Sequence, residues 1–132
     1  MDKVYVDEPW LNLRWDDANH CVHSQWKAFA NSSEYRAGLM KGLEAIRENK
    51  AVRYLTDTRK TRVIVREDQA WVKETWTPLA VAAGLRRVAV VLADAGLGKV
   101  TVEETVHMVE RPDLEVRTFD SVPAAQRWLA ET

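Results

Sequence analysis

Apolar positions change their spacing several times along the chain, and each change marks an element. Val4 and Val6, then Leu11, Leu13 and Trp15, alternate with polar neighbours at period two, with Asp7-Glu8-Pro9 as the turn between them. That pattern predicts an opening hairpin. A polar connection follows, with a short helix expected around Trp26 to Phe29, and leads into Asn31-Ser32-Ser33, any of which can cap a helix. Asn31 and Glu34 have capping-box spacing, and Tyr35, Leu39, Leu43 and Ile46 then recur at helical intervals. The first long helix is predicted over about 33 to 49.

Val52 to Thr56 is short and rich in β-branched and aromatic residues, so it reads as a strand. The polar loop Asp57 to Arg66 comes next, and a second helix starts at Glu67 or Asp68, placing Trp71, Thr75, Leu79 and Ala82 on one face. Gly84 suits a left-handed helix end, and Pro78 inside the helix predicts a kink or break near Trp76. Arg87 to Ala93 is apolar without alternation, the pattern of a parallel strand covered on both faces. Ala51 to Leu92 is thereby a single right-handed β-α-β crossover. Thr101 and Glu104 again have capping-box spacing, ahead of Val102, Val106 and Val109, which predicts a helix with a strand as the competing reading. Glu115 to Phe119 is a further strand, and Asp120 or Ser121 caps a last helix carrying Val122, Ala125, Trp128 and Leu129. The predicted order is ββαβαβαβα.

The 132 residues suit one domain spanning 1–132, and 46% hydrophobic with 30% charged residues suits an ordinary core. A net charge of -1 argues against the basic face that nucleic-acid binding requires. Cys21 is the one cysteine and has no internal partner, MDKVYVDEPW does not read as a signal peptide, and no apolar run approaches the roughly 20 residues of a membrane span. A cytoplasmic protein is expected, with membrane contact peripheral at most. Six tryptophans are spread along the chain, and core packing is the plain reading of them, with a ligand-lining role for some as the sharper one.

Two constellations invite chemistry and fall short. Ala93 to Thr101, ADAGLGKVT, resembles a phosphate loop, but Ala93 replaces its first glycine and Val100 stands where the magnesium-binding hydroxyl belongs. His20, Cys21 and His23 lie close in sequence, yet a structural zinc site takes four ligands, usually as two separated pairs. No catalytic residue, metal or cofactor is expected. The basic loop residues Arg59, Lys60, Arg62 and Arg66 follow a strand end, where open α/β sheets bind ligands and partners.

The strand-end aspartate in YLTD (Tyr54 to Asp57), EDQAW around Trp71, PLAVAAG (Pro78 to Gly84), RRVAVVL and the ending TFDSVPAAQRWL occur in an order and spacing that resemble the SpoIIAA-like family of the STAS superfamily. The resemblance runs nearly the full length. It implies an α/β domain with a mixed sheet of about four to five strands packed with about four helices. In the regulatory branch of the superfamily, a serine near the following helix is phosphorylated to control binding of an anti-sigma factor. Asp57 matches the family's aspartate, but Asp57 to Asp68 contains no serine, only Thr58 and Thr61, so phosphorylation does not carry over. A second branch resembles lipid-binding SEC14 or CRAL-TRIO domains, and the apolar positions Trp71, Val72, Trp76, Leu79 and Val81 are compatible with a lid over an apolar ligand.

The sequence thus predicts a non-catalytic domain that binds an unknown protein partner through Asp57, Thr58, Arg59, Arg62, Trp71 and Trp76. An apolar small molecule or peripheral membrane contact beneath the Trp71/Trp76 helix is the alternative. A homodimer is the third reading.

Overall fold

Each of the six strands lies beside its sequence neighbours, in the sheet order β1-β2-β3-β4-β5-β6. The computed structural model describes residues 1–131. Strands β1 (Lys3–Glu8), β2 (Leu11–Asp16) and β3 (Cys21–Trp26) form an antiparallel meander. Strands β4 (Arg53–Asp57), β5 (Arg87–Val91) and β6 (Glu115–Phe119) then extend the sheet parallel to β3. The crossovers are α1 (Ser32–Asn49), a helical run, and α4 (Leu97–Val109). The run consists of α2 (Arg66–Trp71), a π-helical segment (Val72–Trp76) and α3 (Thr77–Ala82).

Sequential strand order with crossovers of one hand puts every crossover helix on the same face. Leu39, Leu43 and Ile46 of α1, Val72, Trp76 and Ala80 of the run and Val102 of α4 accordingly share one core with Leu13, Val22, Tyr54, Val88 and Val90. This is the front layer. Helix α5 (Val122–Leu129) leaves β6 with no further strand to reach and returns over the opposite face. There Ala125, Trp128 and Leu129 cover Cys21, Leu55, Ala89 and Val91, forming a smaller back core. Alternation along each strand divides the two: Tyr54 faces front and Leu55 back, Val88 and Val90 front and Ala89 and Val91 back.

The fold class holds, with six strands instead of four to five. The additional strand is β3, read above as a polar connection, and Trp26 ends it where a short helix was expected. The reason is its two environments. Val22, Ser24 and Trp26 point to the front layer, where Ser24 donates a hydrogen bond to Thr56 Oγ1 at 2.8 Å, while His23 and Gln25 share the back face with Cys21. Polar residues there hide the strand's period.

The α1 capping box is present, Asn31 and Glu34 each accepting the other's backbone N–H. Gly84 has φ 116°, as a left-handed helix end requires, and Ser121 caps α5 by accepting from the Ala124 N–H. Two expectations shift. Helix α4 begins at Leu97 instead of Thr101, because Thr101 sits inside its first turns and accepts the Ile64 N–H at 2.9 Å. The helix irregularity near Trp76 is a π segment. Pro78 donates no hydrogen bond and crowds the carbonyl four residues back, and the preceding turn widens so that the Thr77 N–H reaches Val72 O.

Candidate functional site

Loops at the carboxyl ends of the parallel strands share one edge of the domain, and the loop after β4 is the longest of them to lack regular structure. Asp57 ends β4 and is 4% exposed. Its carboxylate accepts from Arg59 Nε at 3.0 Å, from Arg59 Nη2 at 2.7 Å and from the Arg59 backbone N–H at 3.2 Å. Burial alone would raise this carboxyl, but the Arg59 hydrogen bonds and charge outweigh it and hold Asp57 below the ordinary carboxylate range. Thr58 donates both its backbone N–H, at 2.9 Å, and its hydroxyl, at 2.6 Å, to Val91 O. The loop is therefore clamped at its root.

Beyond Thr61 the chain is extended, with period two: Ile64 is buried at 7%, while Val63 and Val65 are 48% and 46% exposed. Lys60, Arg62 and Arg66 are exposed beside them, and none of the three forms an ion pair among the described residues. The first turn of α4 supports this strip from below. A Cβ on Gly98 would overlap the Thr61 carbonyl oxygen, so only glycine lets loop and helix approach this closely. Leu97 and Val100 lie exposed on the same turn. Lys99 reaches back to Asp94 O at 3.4 Å, within its own glycine-rich turn.

The two tryptophans predicted as site residues occupy different places. Trp71 is half-buried beneath the Arg36 guanidinium, 5.3 Å from its ring centre. Arg36 Nε and the Ser32 hydroxyl both donate to the buried Asp68 carboxylate, at 2.8 and 2.7 Å, and so tie the start of α1 to α2. Trp76 is buried, donates from Nε1 to Leu39 O at 2.6 Å, and meets Tyr54 edge-on with ring centres 5.6 Å apart.

Trp76 also walls a cavity of about 90 Å³ between the front face and its helices. Trp26, Tyr35, Val90 and Val102 line it, and Thr58, Thr61 and Ile64 close its loop end. So Ile64 and Thr61 face the interior while their neighbours in the loop face solvent.

The histidine and cysteine group holds no comparable site. Cys21 is buried in the back core, and burial, reinforced by Asp16, pushes its thiol up to about 12, far from a reactive thiolate. His23 is held below the usual imidazole value by burial and by Arg14, whose Nη2 lies 3.3 Å from Nδ1. Among the described residues no group of three or more His, Cys, Asp or Glu side chains is placed to hold a metal ion, and no helix is long and apolar enough to cross a membrane.

A family model described as SpoIIAA-like matches residues 21–130. The chain belongs to the SpoIIAA-like family. The match opens at Cys21, the first residue of β3, so it takes in all four parallel strands and every helix and leaves out the β1–β2 hairpin. Domains of this STAS type generally act by contacting other proteins and not by catalysis. No curated protein and no solved structure matches the chain.

Three contributors to this region were not read from the sequence: Val63 and Val65 as exposed positions, Gly98 as the contact point of loop and helix, and the cavity wall. Val63-Ile64-Val65 does carry a signal, since three β-branched residues between arginines, out of register with any helix, fit an extended strip. The cavity carries none. Its lining is drawn from strands β3 to β6, the loop, α1, the helical run and α4, and no local period links them.

Proposed function

We propose that this domain is a non-catalytic binding module that docks an acidic protein segment on the strip Lys60 to Arg66 and the adjoining first turn of α4. The observation that carries the reading is the juxtaposition of Lys60, Arg62 and Arg66, which have no ion pair among the described residues, with the exposed Val63, Val65, Leu97 and Val100. Exposed apolar side chains beside three basic residues favour a partner with apolar anchors and acidic flanks. In this reading Arg62 contacts the partner directly. Asp57, Arg59 and Thr58 are positioning residues, because their hydrogen bonds are spent inside the loop root. Trp71 and Trp76 stand behind the strip and support it.

Rigidity at the root reduces the ordering cost of binding at the tip. The threonines at this position fit constitutive docking better than a phosphate-controlled one. Thr58 is buried with its hydroxyl committed to Val91 O, and Thr61 Oγ1 is buried as well, so a kinase would have to unfold the loop to reach either oxygen.

A labelled peptide of alternating Glu and Leu tests the reading by fluorescence anisotropy. Binding should weaken steeply between 50 and 300 mM salt, and Lys60→Glu/Arg62→Glu should weaken it at least tenfold. Equal binding by the double variant would refute it. So would association of the protein with anionic vesicles but with no acidic peptide.

A further inference from the structure

The two edges of the sheet are finished differently. At β1 the register slips between Val4 and Val6, the kind of irregularity that spoils an edge for further pairing. At β6 there is no such break: Glu115 to Phe119 aligns with Arg87 to Val91 without interruption, and among the described residues no segment lies beyond it in the sheet. The Glu115 N–H donates to Arg86 O at 2.9 Å and Phe119 O accepts from the Leu92 N–H at 2.8 Å, so the backbone groups of Glu115, Arg117 and Phe119 turn towards β5. Those of Val116 and Thr118 therefore turn outwards. Only the amino end of this edge is closed, where the Leu114 N–H donates to Arg111 O at 3.2 Å.

Two depressions of about 360 and 290 Å³ run beside the open edge, between β6 and α4 with the turn before it, and they meet at Thr118. Carboxylates dominate their walls. Glu103 and Glu110 belong to the first and Asp94 and Asp120 to the second, and among the described residues only Glu110 of these four has an ion-pair partner, His107 at 3.5 Å. The arginine and the lysine in the walls are engaged within the chain: Arg117 with Glu115 at 3.5 Å and with the Trp128 ring at 5.4 Å, and Lys99 with Asp94 O at 3.4 Å. The groove thus offers negative charge next to unpaired backbone.

From these two observations we propose that the edge of β6 docks an extended segment of another protein, with basic side chains at alternate positions, as one further strand of the sheet. Main-chain hydrogen bonds to Val116 and Thr118 supply affinity, and the alternate side chains supply selection. Val116 is aligned with Val88 and packs on the front layer, so partner residues opposite Val116 and Thr118 direct their side chains to the front, beside α4. The carboxylates of the groove lie there, and a lysine or arginine at each of these positions balances them. The partner residue between them faces the back, against Arg117, and is uncharged. This site is separate from the strip after β4, whose charge has the opposite sign.

The peptide acetyl-Lys-Val-Lys-Val-Lys-amide, titrated into the intact chain, tests the proposal through the backbone amide resonances. Saturable shifts are expected at Val116 and Thr118, with hydrogen exchange of those two amides slowed at least about tenfold. Replacing the peptide's lysines by glutamate should abolish binding, and Glu103→Gln/Glu110→Gln in the protein should weaken it about fivefold. Alternate N–H groups of an added strand face β6. Methylating the central lysine nitrogen in one peptide and the adjacent valine nitrogen in another should therefore weaken binding at least about tenfold in one of the two and spare the other. Absence of saturable shifts at Val116 and Thr118, equal binding by the glutamate peptide, an unchanged affinity in the double variant, or equal effects of the two methyl groups would each overturn the proposal.

Discussion

On the front of the sheet Val88 and Val90 lie beneath three crossovers, whereas one position along the same strand Ala89 and Val91 meet α5 alone. The front collects large side chains from the strands and all three crossovers and leaves a cavity among them. The back is thin: small strand residues admit one amphipathic helix whose Trp128 fills the space against Phe119, Leu129 and Ala125. One sheet therefore supports two kinds of layer. A roof assembled from a π-interrupted helix and a clamped loop leaves a cavity beneath it, whereas a single helix closes directly on alanine and valine.

The largest effect that separates them is expected at Trp128. Its ring is buried and flanked by the guanidinium groups of Arg87 and Arg117 at 5.0 and 5.4 Å, so Trp128→Ala should cost about 3 to 5 kcal/mol in a denaturant melt. A loss below about 1 kcal/mol would mean the back is not sealed by this ring. In the front layer, Trp76→Phe retains most of the packing and removes the hydrogen bond to Leu39 O, with an expected loss of about 1 to 2 kcal/mol by the same assay. Were Trp76→Phe to destabilise more than Trp128→Ala, the contrast between the layers would be reversed.

Gly98→Ala probes the contact between loop and α4. The added methyl cannot fit against the Thr61 carbonyl, a cost of about 2 kcal/mol that the better helix propensity of alanine offsets by about 1. The net loss of about 1 kcal/mol should come with changed amide shifts at Thr61 and Ile64, and unchanged shifts would show that the two segments are not in contact.

Where α5 stops, the back face is polar, and His23 reports on it. Burial and Arg14 hold this imidazole below its ordinary value, so the unfolded chain takes up a proton at higher pH than the folded one. Stability is full above about pH 6.5 and declines as pH falls through that value towards the folded pKa. His23→Gln should flatten this part of a pH-melt profile, and an equal slope in the variant would remove His23 as its source. The smallest effect is expected at the strip, where Lys60→Glu/Arg62→Glu should change stability by no more than about 0.5 kcal/mol because neither side chain packs or pairs.

These contrasts also explain what the sequence revealed. Elements with one clear period, such as α1 with its Asn31–Glu34 cap, α5 with its Ser121 cap and the unbroken β5, were legible within one or two residues. β3 was not, because CVHSQW carries polar side chains on both faces, Ser24 on the front and His23 and Gln25 beside the buried Cys21 on the back. The Thr101 cap misled for a related reason: its hydroxyl sits inside the helix, where it accepts from Ile64 across the fold and donates to Gly98 O. At the candidate site, the location after β4 and the basic residues could be read from Asp57 to Arg66. The pairing of Asp57 with Arg59 and the cavity behind Thr61 depend on contacts between distant segments, which no window of sequence contains.

Adjacent residues of β5 provide the most direct test of the contrast between layers. In a methyl-labelled sample of Trp76→Phe, the account predicts shifts relative to the unmodified chain at Val90, whose side chain shares the front core with Trp76, and none at Val91, which lies in the back core. Shifts at Val91 and Leu129 equal to those at Val90, or at neither strand position, would contradict it.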